Sequence, residues 1–138
     1  PLAEELGFIE KYIRLEQIRV AKSGFIVHKV VGSPGTITIA PMSFIPFIEN
    51  AFKHSTGRRE DGTITSRVVI EAGKVCFECR NRLGPGPPTA GNGGLGNDLI
   101  RRRLELLYPN RHTLEVSDRD DVYTVRLSLD VDDHLHHG

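Results

Sequence analysis

Apolar residues open the chain at three- and four-residue steps: Leu2, Leu6, Ile9, Ile13 and Val20. Glu4, Glu5, Glu10, Lys11 and Arg14 occupy the other faces. This spacing predicts an amphipathic helix from Pro1 to about Lys22, with proline tolerated in the first turn and Ser23-Gly24 as the stop. Phe25 to Val31 and Thr36 to Ala40 read as strands, separated by the turn-forming Gly32-Ser33-Pro34-Gly35. A second helix is predicted from about Ser43, as N-cap, to His54. Its apolar stripe is Phe44, Phe47, Ile48 and Ala51, and Pro46 falls early enough to be accommodated.

After a polar loop over Thr56 to Gly62, strands Thr63 to Glu71 and Lys74 to Arg80 flank Ala72-Gly73 and predict a hairpin. From Leu83 to Gly96 the chain is dense in glycine and proline, including Gly84-Pro85-Gly86-Pro87-Pro88, which no regular element survives. Too little chain follows for an independent core, so this stretch reads as a lid inside one domain rather than a linker between two. A third helix is expected from about Asn97 to Tyr108, ended by Pro109-Asn110. A final hairpin joins His112 to Val116 with Val122 to Leu129 across Asp118-Arg119-Asp120-Asp121. The element order predicts an α+β fold, a two-layer α/β sandwich in which a mixed sheet is covered on one face by three helices. Residues 1–22 form a leading helix, 23–131 the domain, and 132–138 a fraying tail.

Composition constrains function only by exclusion. The 138 residues are 38% hydrophobic and 26% charged, with Lys+Arg and Asp+Glu at 18 each. Zero net charge gives no reason to expect nucleic-acid or membrane-surface binding, so any affinity for a polyanion must be local. No apolar run approaches the roughly 20 residues needed to cross a bilayer, and the opening residues do not resemble a signal peptide. Cys76 and Cys79 form a CxxC pair, but no second pair exists and alternating Val75, Phe77 and Cys79 read as one face of a strand. Two reduced cysteines fit a cytoplasmic setting. The tail histidines His134, His136 and His137 lack a spaced partner and are read as incidental.

Chemistry is concentrated in two places. Glu49, Asn50, Lys53 and His54 are polar groups on an otherwise apolar helix, and Asn50 shares a face with Lys53 and His54. An amide oxygen can bind Mg²⁺, and an ammonium or imidazole can contact phosphate oxygens. On these residues alone a solvated helix end, with Lys53 and His54 favourably placed against the dipole, is an equal reading. The second place is Gly91-Asn92-Gly93-Gly94-Leu95-Gly96, directly before a helix, where backbone N–H groups can approach a phosphate. A glycine-rich stretch is weak by itself; paired with the Asn50 helix it becomes specific. The run Arg101-Arg102-Arg103 points in several directions around a helix and reads as a solvated surface with ordinary ion pairs.

Pro46 to His54 resembles the N-box of LytS-type sensor histidine kinases, in the GHKL ATPase superfamily. Gly93-Gly94-Leu95-Gly96 with Arg101 to Pro109 resembles their second glycine box and the helix behind it, and Glu4 to Glu16 resembles the helix preceding their catalytic domain. The resemblance implies a Bergerat-type fold binding ATP and Mg²⁺. In it Asn50 holds the metal and Glu49 orients the metal or its water. Lys53 and His54 contact phosphates, and the backbone of Gly91, Gly93, Gly94, Leu95 and Gly96 cradles the phosphate tail. It further implies transfer of the γ-phosphoryl group to a histidine on a helical domain of the same protein, then to a response regulator. Also implied are a cytoplasmic location within a membrane-anchored protein, and a homodimer whose isolated catalytic part is a monomer.

The sequence departs from the family pattern at three points. Asn81 stands where an adenine-binding aspartate is usual. Asn97 and Leu99 stand where a hydrophobic residue and an asparagine are expected. No phosphoacceptor histidine motif occurs, so this chain is not expected to autophosphorylate alone. Pro46 also stands where ATP-hydrolysing relatives place a glutamate base, which disfavours hydrolysis. The remaining alternative is a degenerate domain that docks proteins without turnover.

Overall fold

The computed structural model describes residues 1–20, 24–55, 62–83 and 92–131, with side chains for 1–19, 24–55, 62–83 and 98–131. In chain order the elements are α1 (Leu2–Val20), β1 (Ile26–Val31), α2 (Ile45–His54), β2 (Ile64–Glu71), β3 (Lys74–Arg82), α3 (Asn92–Leu107), β4 (His112–Arg119) and β5 (Val122–Asp130). The five strands form one sheet in the order β1-β2-β3-β5-β4. β1 runs parallel to β2 and every other neighbouring pair is antiparallel. This is the expected α+β sandwich, a mixed sheet with helices on one face.

Alternation along the strands sets the two faces. Val75, Phe77, Cys79 and Asn81 of β3 are buried, as are Ile64, Ser66 and Val68 of β2 and Val125, Leu127 and Leu129 of β5. These positions meet Leu2, Leu6, Ile9 and Ile13 of α1, the apolar stripe of α2, and Leu104 and Tyr108 at the end of α3 in a single core. Aromatic rings join the layers. Phe44 stacks on Phe77 with centroids 4.8 Å apart, Phe47 lies 5.9 Å from the same ring, and Phe52 meets Phe25 and Tyr12 at 5.8 and 6.1 Å.

Turn chemistry matches the hairpins. Asp120 and Asp121 carry φ of 53° and 62° between β4 and β5, the left-handed pair of a type I′ turn. Gly73 at 74° closes β2 onto β3.

Three expectations need correction. Thr36 to Ala40 is not a strand, because its backbone groups are used elsewhere. The Ile37 N–H donates to Pro34 O in a turn, Ile37 O accepts the Leu2 N–H, and the Ala40 N–H donates to the Tyr108 hydroxyl. Ser43 is not the N-cap of α2. That position is Phe44, without a side-chain cap bond, and the Ser43 hydroxyl donates back to Ala40 O at 2.7 Å. α3 begins at Asn92, so Gly93, Gly94, Leu95 and Gly96 have helical backbone rather than forming a loop before the helix. Residues 84–91 of the expected lid, the 132–138 tail, residues 21–23 at the expected stop of the first helix and residues 56–61 of the expected polar loop lie outside the described residues.

Gly32 ends β1 with φ of 100°, and a Cβ built there would sit 2.5 Å from Ile70 O. Both the conformation and the space demand glycine. Gly7, inside α1, has nothing within 4 Å of a built Cβ. Gly32→Ala is therefore expected to destabilise by about 2 kcal/mol or more, and Gly7→Ala to stabilise by about 0.5–1 kcal/mol. Urea unfolding of the two variants checks this; equal shifts would contradict the assigned geometry.

Candidate functional site

α2 is the element whose orientation matters most. Ile45, Phe47, Ile48, Ala51 and Phe52 are buried against the sheet, which turns Glu49, Asn50, Lys53 and His54 away from it. Glu49 and Lys53 are exposed, and Asn50 and His54 are half-buried. The quartet predicted from sequence is thus one continuous polar surface on an anchored helix. Its members lean differently. The Glu49 charge reaches Tyr12 of α1, whose phenol is pushed up to about 12 by burial, then Glu16, then Glu49. His54 leans the other way, its ring 5.9 Å from that of Tyr123 on β5. Burial and then the neighbouring Lys53 charge lower the His54 pKa.

Asn81 lies beyond the same helix end. It is 2% exposed, on the helix-covered face of β3, and is directly paired with Tyr123. The Ser55 hydroxyl, one residue past α2, donates to Arg82 O at 3.0 Å. The structure therefore brings Asn81 and the His54 end of α2 together through Tyr123 and the 82 carbonyl.

The later turns of α3 meet the chain around the start of α2. Tyr108 meets Ser43, hydroxyl to hydroxyl, at 2.9 Å. Arg103 reaches Pro41 and Met42 just before α2. Leu99, Ile100 and Leu104 enclose with Ser43 and Pro46 a cavity of about 130 Å³. For the glycine box the described geometry is backbone only, with residues 93 to 96 in the opening turns of α3; Gly91 lies outside the described residues.

A larger basin of about 470 Å³ lies elsewhere, over Arg80, Glu115, Ser117, Thr124 and Arg126. These residues point from the uncovered face of the sheet, away from α2. Lined by strand side chains on a solvated face, the basin lacks any of the expected site residues, and size alone does not make it the functional cleft.

Sequence reasoning missed Glu5, Ser43, Arg103 and Tyr108, which tie the helices together around residues 40–43. Arg103 does more than the solvated role expected of the arginine run, since its guanidinium donates to two backbone carbonyls. A carboxyl side chain beside Leu2, Leu6 and Ile9, on the apolar stripe of α1, was the available signal for Glu5. Among the described residues no group of three or more His, Cys, Asp or Glu side chains could hold a metal, so a cation here would need amide, water or ligand oxygens.

Comparison with known proteins fits this geometry. No protein-family model matches the chain. Of solved structures, the blue-light-activated histidine kinase of Erythrobacter litoralis EL346 superposes at TM-score 0.62, with 18% identity over 95% of this chain and 42% of that one. The catalytic domain of histidine kinase ThkA, in a nucleotide-free form, superposes at 0.56 with 14% identity, covering 91% of this chain and 92% of that domain. This is the fold of histidine kinase catalytic domains. In sequence the chain is 26% identical to the sensor histidine kinase BtsS of Escherichia coli over 132 residues, 93% of this chain. It spans only 23% of the length of that relative.

Two predictions follow from side-chain placement. Cys76 and Cys79 stand on opposite faces of β3: Cys76 is half-buried with Sγ 3.5 Å from the Ser128 hydroxyl, and burial pushes the Cys79 thiol up to about 12. One thiol should react with a disulfide reagent in the native state, and the second only after unfolding. Native-state reaction of both, or an internal disulfide, would contradict the placement. For pH, burial lowers the His28 pKa against an opposing pull from Glu10, and burial with Lys53 lowers that of His54. Both imidazoles bind protons more weakly folded than unfolded, so their contribution is complete above the ordinary value of 6.5 and is lost as pH falls below it. Thermal stability should decline from there toward about pH 5, and His28→Gln should flatten the decline; an unchanged profile would remove His28 as a cause.

Proposed function

We propose that this chain is the ATP-binding catalytic domain of a sensor histidine kinase. The single observation that carries the reading is that Ser43 and Pro46, at the start of α2, line one small cavity with Leu99, Ile100 and Leu104 of α3, while Glu49, Asn50, Lys53 and His54 are the residues of α2 left unburied by the sheet. In this reading α3 continues from that cavity so that residues 95 and 96 come toward Asn50. An amide-bearing helix and the start of a glycine-rich helix then border one cleft, with Asn81 at its inner end. The fold shared with histidine kinase catalytic domains and the similarity to BtsS support the same conclusion.

In this reading Asn50 supplies an amide oxygen to Mg²⁺, and Glu49 orients the metal or a water bound to it. Lys53 neutralises phosphate charge. With its lowered pKa, His54 acts near neutral pH as a hydrogen-bonding imidazole rather than a cation. The first N–H groups of α3, at Gly93, Gly94 and Leu95, have no partners within the helix and can receive phosphate oxygens, with the helix dipole adding to the attraction. In a regular helix from Asn92, the Gly96 N–H is spent on the Asn92 carbonyl, so its part in the cradle is to let the phosphate approach closely. Asn81 accepts the adenine amino group through its side-chain oxygen without the charge of an aspartate.

ATP and Mg²⁺ supply the transferable phosphoryl group and its charge neutralisation. The residues named here hold and orient them, which is where catalysis of phosphoryl transfer mainly resides. The acceptor is a histidine on a helical domain of the full-length protein, and a response regulator is the downstream partner. The full-length kinase is membrane-anchored and homodimeric with this domain on the cytoplasmic side, and the isolated chain is monomeric. A second reading, a domain retained for docking without turnover, is favoured by the neutral Asn81.

Calorimetric titration with ATP and Mg²⁺ tests the proposal. Wild type should bind weakly, because ordering the nucleotide-facing segments costs free energy. Asn50→Ala should lose about tenfold or more in affinity, the loss of a charge-assisted ligand being worth over about 1.4 kcal/mol. Equal heats from the two proteins would reject the metal role of Asn50. Absence of binding at nucleotide concentrations on the order of a millimolar would favour the docking module.

A further inference from the structure

The four residues between the Thr36–Ala40 segment and α2 are held from three directions. The Met42 N–H donates to Glu5 Oε1 of α1 at 3.1 Å, while the Met42 carbonyl accepts Arg103 Nη1 of α3 at 2.7 Å. Arg103 Nη2 donates to the adjoining Pro41 carbonyl at 2.5 Å. On either side, the Ala40 N–H donates to the Tyr108 hydroxyl (2.9 Å), that hydroxyl donates to Ser43 Oγ (2.9 Å), and Ser43 donates to Ala40 O (2.7 Å). The three bonds run from the Ala40 N–H back to the Ala40 carbonyl through two hydroxyls that each donate and accept, an arrangement that strengthens its members.

Met42 is the centre of this strap and adopts a left-handed conformation, φ 63°, although it is not glycine. Such a backbone is strained for an L-residue and persists only where its surroundings over-determine it. Here they do so by gripping the two ends of one residue. α1 holds its N–H and α3 holds its carbonyl, and two residues later the chain becomes α2. Glu5 is 8% exposed, and its second oxygen, Oε2, is buried with no hydrogen-bond partner among the described residues. A carboxyl group kept at a core position for a single backbone N–H is costly by its burial alone, so its placement calls for more than solubility or packing.

We infer that Glu5 and Arg103 are positioning residues for the nucleotide cleft, acting through Met42 to make the placement of α1 set the separation of α2 and α3. The inference rests on the nucleotide-binding reading above and adds a regulatory route to it. α1 and α3 bias one bistable element, the Met42 backbone, whose relaxed and strained forms place α2 and α3 differently. A shift of α1 that withdraws Glu5 removes one of the two grips. Met42 then relaxes toward ordinary φ, its carbonyl turns from Arg103, and α3 loses its anchor beside Pro46. Because both grips act on one residue, losing either has the same consequence as losing both.

The test uses the 138-residue chain with Glu5→Ala, Arg103→Ala and the double variant. A fluorescent ATP analogue with Mg²⁺ reports nucleotide affinity, and amide hydrogen exchange reports local opening. Each single variant should bind about fivefold to tenfold more weakly, and the double variant no more weakly than the worse single. Arg103→Lys, which offers a point charge in place of a fork, should recover part of the loss. In Glu5→Ala, faster exchange should extend from Met42 into residues 104–108 of α3 and the first turn of α2. Additive losses, or unchanged affinity in both single variants, would overturn the inference, as would faster exchange confined to α1 and Met42. If wild type binds no nucleotide, the functional reading fails, and the exchange pattern still decides whether α1 and α3 are coupled.

Discussion

The packing of Phe44, stacked, and Phe47, tilted, on the ring of Phe77 determines which side of α2 is left unburied. Six apolar side chains from Phe44 to Phe52 are buried against the sheet and α1. Fully burying a large apolar side chain is worth about 1.5–3 kcal/mol. Successive residues on a helix differ by about 100° in direction, so a rotation by one position would drive Glu49 or Asn50 into the core and lift Ile48 out of it. The polar quartet owes its direction to the residues between its members. Stability and the direction of the polar quartet are therefore not separable along this helix, and a substitution that repacks Phe77 would shift the quartet without touching it.

Most of the architecture could be read from periodicity because local pattern and tertiary packing agree there. The α1 stripe, the two hairpins and the alternation of Val75, Phe77 and Cys79 each bury the face that the sequence marks as apolar. Reading failed where a segment's backbone is satisfied by something distant. Thr36 to Ala40 has strand-like composition, but its hydrogen bonds go to the start of α1 and to Tyr108, partners no local window contains. Glycine density pointed to a loop up to Gly96, whereas α3 already begins at Asn92; propensity alone misjudged where the helix starts. For the site, the α2 quartet was visible because it is contiguous and polar on an apolar helix. Asn81 was singled out by resemblance to a family box, although its burial continues the alternation of β3. The 40–43 strap could not be read at all, since most of its acceptors and donors are main-chain groups, which every residue carries.

The uncovered face of the sheet contrasts with the helix-covered one in the way its arginines are balanced. Across neighbouring strands the registers align Arg67 with Glu78, Glu78 with Arg126, and Arg126 with Glu115. Charge alternates along this row, and Arg126 meets Glu78 at 2.8 Å. Cross-strand pairing of this kind adds little stability at an exposed surface. It does remove the field that a one-signed arginine surface would produce, so the large open basin on this side carries no strong general pull on phosphate.

The parallel pairing of β1 with β2 has a consequence for how the protein assembles. Antiparallel neighbours can zip from a short turn, but Ile26 meets Ile64 only after the chain has crossed over, and that crossover contains the strap and all of α2. The crossover's loop-closure entropy must be overcome before the pairing contributes, so this is intrinsically the slow contact of the fold. Phe52 of α2 stacks on Phe25, just before β1, so the far end of the helix is fully packed only once that strand is in place. A nascent chain could therefore complete both hairpins and the Phe77 contact while the Lys53–His54 end of α2 is still unanchored, that end becoming fixed in one cooperative step when the last strand docks.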